Sequence, residues 1–272
     1  MLFGSIKTQM KIISKHKIFI LSIAVIYAFI VINFAKNLRD FYGYDITRLI
    51  HPMKMTMLNT YGKWGFYFMQ YFPILLVFPA SFSFLNDKDN GTEVYLRSKF
   101  GNRNYYYGKI IAVFIMTFIA FALPQFFEYI LNIITFPIEA IGDQSNLSTF
   151  DPTYHEQVEK YWLSSLWKAN PYFYYIVYIA MFSSVSASFA AFTVGLSMTN
   201  IMKYKILALL PAYLILTLLS AVGSKINFPM NYVFYLMSFD ASEKFDFLFP
   251  MISLVLFLIS IAIARYKGKE AI

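Results

Sequence analysis

Six stretches of this chain are apolar for long enough to matter more than anything else in it: residues 17–35, 64–85, 108–135, 171–199, 205–223 and 247–264. A bilayer core about 30 Å thick takes about 20 helical residues to cross. Inside it every backbone N–H and C=O must find a partner within the protein, which a helix provides for itself. The pattern predicts an all-α membrane protein of six transmembrane helices. With 58% apolar and 14% charged residues, the chain is too apolar for a water-soluble domain of its length.

Charge sets the orientation. The net charge of +8 gathers at the ends of the apolar runs, which membrane topology explains better than nucleic-acid binding does. With the N-terminus inside, the inner segments hold fourteen Lys and Arg against four acids, and the outer ones nine against ten, chiefly Glu139, Asp143, Asp151, Glu156, Glu159, Asp240, Glu243 and Asp246. Both termini are expected to be cytoplasmic. Residues 2–16 place Leu2, Phe3, Ile6, Met10 and Ile13 at helical spacing with Lys7, Lys11 and Lys15 on another face, the pattern of an amphipathic interfacial helix. No good cleavage site follows the first apolar run, so that run is expected to be retained. The first outer segment, 36–63, reads as a solvated interfacial loop. The stretch 228–240 is too short to span and reads as short outer helices between spans five and six, bounded by Pro229. No repeat is visible, and residues 1–272 read as one transmembrane domain.

Three features stand out within that frame. Residues 86–109 lose apolar character abruptly and carry Asp87, Lys88, Asp89, Glu93, Arg97, Lys99, Arg103 and Lys109, a cytoplasmic platform between spans two and three. Glu128 is the only acid well inside an apolar run, and an intramembrane carboxylate is a functional candidate. At about 1.5 Å per residue it lies roughly 28 Å beyond Lys109, toward the outer interface. In the fourth run Ser183, Ala187, Ala191, Gly195 and Thr199 recur every four residues, a small-residue face that lets helices approach closely.

Other motifs are incomplete. Six residues intervene between Gly101 and Gly108-Lys109, and Ile110 follows, so they do not make a nucleotide-binding loop, and no bound cofactor is expected. His155-Glu156 lacks the second histidine of a zinc-protease motif, and Gly195-Leu196-Ser197 lacks both a closing glycine and a nearby base. Without cysteine the chain has no disulfide, thiolate or Cys-based metal chemistry.

Taken together, the amphipathic start, six spans, charged loop and short outer helices resemble the permease subunit of the type-2 ABC exporter family. The sharpest local match is Asp87 or Asp89, then Gly91-Thr92, Leu96, Arg103 and Gly108-Lys109. The chain departs from the commoner pattern in having Asp where Glu is frequent, and Ser98-Lys99-Phe100 where a proline often falls. The resemblance implies that 86–109 contains a coupling helix seated in a separate ATPase subunit, with Glu93, Arg97 and Arg103 as contacts. It further implies ATP and magnesium on that partner, a second permease copy or homologue, and export of a hydrophobic or amphipathic peptide, lipid or drug across a bacterial cytoplasmic membrane. Two other classes stand as alternatives: an ion-coupled secondary transporter using Glu128, which calls for midplane ionisable groups and paired repeats that the sequence does not show, and a non-transporting immunity or scaffold protein, which shares all the topology.

Overall fold

The computed structural model describes residues 1–45, 49–59, 63–138, 158–159, 161–199, 201–202, 204–226, 228, 230–238 and 247–270. Arg48, Lys203, Pro229, His155 and most of the acids assigned to the outer side (Glu139, Asp143, Asp151, Glu156, Asp240, Glu243 and Asp246) lie outside them. The described residues are helical, with no strand among them.

The chain opens with α1 (Leu2–Ser14) and α2 (Lys17–Asp40), followed by a short 3-10 turn at Pro52–Met55. Next come α3 (Lys63–Leu75), α4 (Ser83–Asp89), α5 (Thr92–Phe100) and α6 (Asn102–Thr135). The second half holds α7 (Ser164–Ala169), α8 (Pro171–Met198), α9 (Leu210–Lys225, entered through a 3-10 turn at Lys205–Leu209), α10 (Tyr232–Tyr235) and α11 (Leu248–Glu270).

Among the described residues, five helical segments are long and apolar enough to cross a membrane: Lys17–Asp40, Asn102–Thr135, Pro171–Met198, Lys205–Lys225 and Leu248–Lys269. The expected second span is different. Its apolar run forms the 13 residues of α3, then irregular turns over 76–82, then the 7 residues of α4. Two prolines account for the break. Pro73 and Pro79 have no N–H to give to the carbonyls four residues back, and each ring crowds the preceding turn. The segment stays apolar throughout, so hydropathy alone reads it as one helix.

α6 and α8 form the centre of the bundle, flanked by α2, α11 and the α3–α4 segment. Asn170 starts α8 cleanly: its side-chain oxygen accepts from the N–H groups of Tyr172 and Phe173, each at 3.0 Å, and Pro171 occupies the first helical position. An aromatic cluster of Phe68, Phe72, Phe121 and Phe182 fills the middle, with ring centroids 5.1–6.5 Å apart. α1 packs on α6 by an unexpected face. Its buried residues are Ser5, Gln9 and Ile13, while Leu2 and Phe3 are exposed. Gln9 donates to Tyr105 O at 3.0 Å, and Gly108 makes the approach possible: a Cβ there would meet Ser5 Oγ at 2.5 Å.

Contacts sort the chain into two ends. At one end α1, the α4–α5 hairpin, the start of α6, Lys205 and the end of α11 meet. At the other lie residues 51–59, the end of α6, the start of α8 and residues 232–238.

Candidate functional site

The charged platform is a helical hairpin whose turns are set by glycine. Gly91 (φ 69°) separates α4 from α5 and Gly101 (φ 80°) separates α5 from α6, both in the left-handed region where a side chain is strained. The platform's ends are locked from within. Asp87 and Lys109 form an ion pair at 2.6 Å with side chains 4% and 0% exposed, and Tyr105 donates its hydroxyl to the same Asp87 oxygen at 2.9 Å. This triad ties the proline-broken segment to α6. Asp89 lies outside it and pairs with Lys205 at 2.8 Å where both are about half exposed.

α5 has two unlike faces. Leu96 is buried, and Glu93 accepts from Arg97 and from the Tyr106 hydroxyl, each at 3.3 Å. Arg97 also donates to Asn102 Oδ1 at 2.7 Å and lies over the Tyr106 ring. Glu93 and Arg97 are thus engaged with each other and with α6. Thr92 is half-buried at the start of α5, and Arg103 is exposed above the Tyr107 ring, close to Gly268 of α11. The open face of α5 carries Val94, Tyr95, Ser98 and Lys99, with Val94 70% and Tyr95 61% exposed. Periodicity on α5 could have distinguished these faces in the sequence, but in so short a helix only the neighbouring α6 decides which one turns inward.

The small-residue face of α8 is buried at Ser183, Ala187, Ala191 and Gly195 and half-buried at Thr199. At Gly195 the partner is α11: a Cβ there would lie 3.3 Å from Ser260 Cα. Nearby, Ser188 and Ser253 share a hydrogen bond at 2.8 Å at the edge of an apolar groove of about 470 Å³ bounded by Phe114, Met181, Val185 and Phe257.

Glu128 lies at the other end, fully buried, and its neighbourhood overturns the solvated reading of the first outer loop over residues 51–59, while residues 42–45 are exposed. Residues 51–59 are all buried. Glu128 Oε1 accepts from the Met57 N–H at 2.5 Å and from Asn33 Nδ2 at 3.3 Å. Asn33 and Asn37 both donate to Met55 O, Ser238 donates through N–H and hydroxyl to Leu58 O, and Asn59 closes on Lys54 O. Side chains therefore satisfy much of the loop's backbone where regular structure does not. α3 approaches so closely that a Cβ on Gly65 would collide with Met57 O. Residues 232–238 pack onto the same assembly, with Tyr174 and Tyr178 donating to Ser238 O and Leu236 O.

Comparison with protein-family models, with curated proteins and with solved structures finds no match to this chain.

Proposed function

We propose that the chain is the permease subunit of an ATP-driven exporter of the type-2 ABC architecture. In this reading the broken Lys63–Asp89 segment completes six crossings, α1 lies along the cytoplasmic surface with Leu2 and Phe3 toward lipid, and both termini are cytoplasmic. A separately encoded ATPase binds ATP and magnesium, and a second permease copy or homologue completes the membrane part. The apolar groove between α6, α8 and α11 suits a hydrophobic or amphipathic substrate.

The observation that carries the reading is the platform's construction. Nucleotide energy made outside the membrane reaches the spans only through a stiff contact. α5 offers an exposed face of mixed apolar and basic character on one side. On its other side Glu93, Leu96 and Arg97 join it to α6. The Asp87–Lys109 pair then links α6 to the broken segment, so a push on α5 moves both spans. Val94, Tyr95, Lys99 and Arg103 are the partner-facing residues, while Glu93 and Arg97 transmit.

The test is purification from the native host in mild detergent, mass spectrometry of stoichiometric partners, and vanadate-sensitive ATP hydrolysis. The reading requires a co-purifying ATPase with nucleotide-binding motifs. Val94→Asp with Tyr95→Ala should remove that subunit, and Glu93→Ala with Arg97→Ala should keep it but lower substrate-stimulated hydrolysis about tenfold, the size of a lost contact worth about 1.4 kcal/mol. Recovery of the chain alone, at full yield and without ATPase activity, would sink the proposal.

A further inference from the structure

The groove between α6, α8 and α11 measures about 470 Å³, within the roughly 300–1,000 Å³ of small-molecule sites. One end of it lies at the end of the bundle remote from the platform. There Trp162 stands beside Tyr174 at the start of α8, ring centroids 6.4 Å apart, and Phe247 precedes the first turn of α11, where the Leu248 N–H meets the Tyr235 hydroxyl at 3.2 Å. From these residues the groove runs inward. Its α8 wall extends from Val177 to Ser188, about 16 Å at 1.5 Å per residue. The deepest lining residue of α11, Phe257, meets Phe114 of α6 with ring centroids 4.8 Å apart. A bilayer core of about 30 Å has leaflets about 15 Å deep, so the groove has the depth of one leaflet rather than of the whole membrane.

The lining decides what fits. None of the described residues along the groove is ionisable, so a charged ligand finds no counter-charge. Apart from the Trp162 indole, the polar side chains are three serines, and these serve one another: Ser253 donates to Ser188 Oγ at 2.8 Å and lies 3.4 Å from Ser184 O. A peptide brings an N–H and a C=O with every residue, which such a lining would leave unpaired. An alkyl chain asks for no partner, and one chain is as long as one leaflet is deep. Lipid tails are as apolar as the groove, so a chain that moves in gains nothing from leaving water. It gains dispersion contact along both walls.

We propose that this groove seats one acyl chain of a membrane lipid, entered from the end remote from the platform, and that the cargo is a lipid carrying such a chain. The cargo assignment rests on the exporter reading; the seat needs only the bundle.

The full chain is purified in digitonin, a steroid detergent without an alkyl chain, and titrated with phosphatidylglycerol bearing a diazirine either near the ester or near the methyl end of its acyl chain. After photolysis the adducts are mapped by mass spectrometry. Labelling should saturate, fall on Trp162 and Phe247 with the first probe and on Ser188 and Phe257 with the second, and be competed equally by unlabelled phosphatidylglycerol and phosphatidylcholine. Val177→Trp and Leu254→Trp, half-buried and 59% exposed along the groove, should each remove the saturable labelling, and Leu218→Trp on α9, 60% exposed, should leave it. Labelling that rises linearly with probe and spreads equally over the exposed faces of α2 and α9, or that falls on the same residues with both probes, means annular lipid only and overturns the seat. If an ATPase co-purifies, the same lipid should stimulate its hydrolysis in the parent and not in the two groove variants; no stimulation, or equal stimulation in all three, overturns the cargo assignment. Saturable labelling of a chain that comes through without an ATPase would defeat the exporter reading and leave the seat, whereas an active ATPase complex without saturable labelling would defeat the seat and leave the exporter.

Discussion

Replacing Lys109 by Met while Asp87 remains leaves a carboxylate buried at the platform with only the Tyr105 hydroxyl for company. Breaking such a pair from one side costs about 3–5 kcal/mol, whereas removing both charges is often close to neutral. Lys109→Met should therefore lower Tm markedly in detergent, and Asp87→Leu added to it should restore most of the loss. A double variant no more stable than the single one would show that the pair does not hold the platform. A second residue-scale expectation concerns Gly65, where a Cβ would strike the backbone oxygen of Met57. Gly65→Ala must push α3 or the loop aside. Overpacking of this kind costs about 1–3 kcal/mol, and it should expose a cysteine placed at Met53, otherwise wholly buried, to maleimide. Asp87 and Lys109 were visible in the sequence as the charged limits of the platform. That they face each other was not, because the 21 intervening residues first have to fold back on two left-handed glycines. Residues 51–59 are less legible still: His51, Lys54, Thr56 and Asn59 look solvated, and their burial depends on distant partners, the donors Asn33, Asn37 and Ser238 and the acceptor Glu128.

Elements show the same division between what local pattern dictates and what packing decides. The helical period of residues 2–16 was plain, and the structure forms α1 there. The face it buries was not plain, since Ser5 and Gln9 turn inward beside Ile13 while Leu2 and Phe3 turn out. The missing clue was Gly108, 103 residues beyond Ser5 in the sequence, whose bare backbone admits the Ser5 side chain. Gly108→Leu should consequently lift α1 without unfolding the bundle: a spin label at Gln9, immobile in the parent, becomes mobile, while Tm falls by no more than a few degrees. Equal immobility in both would mean that α1 is held by something other than this contact. The proline-broken segment is the other case. Its apolar composition is plain in the sequence, but an average over residues gives no weight to two missing N–H groups, and these decide whether 64–85 is one helix or two.

At the scale of the whole molecule, the contacts between distant parts of the chain constrain its passage through a membrane. Lys205 reaches Asp89, Gly268 abuts Arg103, and α1 lies on Gly108, so the N-terminal helix, the platform, the entry to α9 and the end of α11 share one end of the bundle. Were all five apolar helices to cross a membrane, the meeting of the chain's two ends would call for a sixth crossing, which the α3–α4 segment would supply by traversing the bilayer despite its break. The natural absence of cysteine makes this directly testable. Single cysteines at Ser98 and Lys269 should react with a membrane-impermeant maleimide only after the cells are permeabilised, and one at Tyr42, 89% exposed just beyond α2, should react in intact cells. Labelling of Ser98→Cys and Tyr42→Cys from the same side would put the platform and the first loop together, leaving the broken segment within one leaflet and removing the lever on which ATP-driven coupling depends.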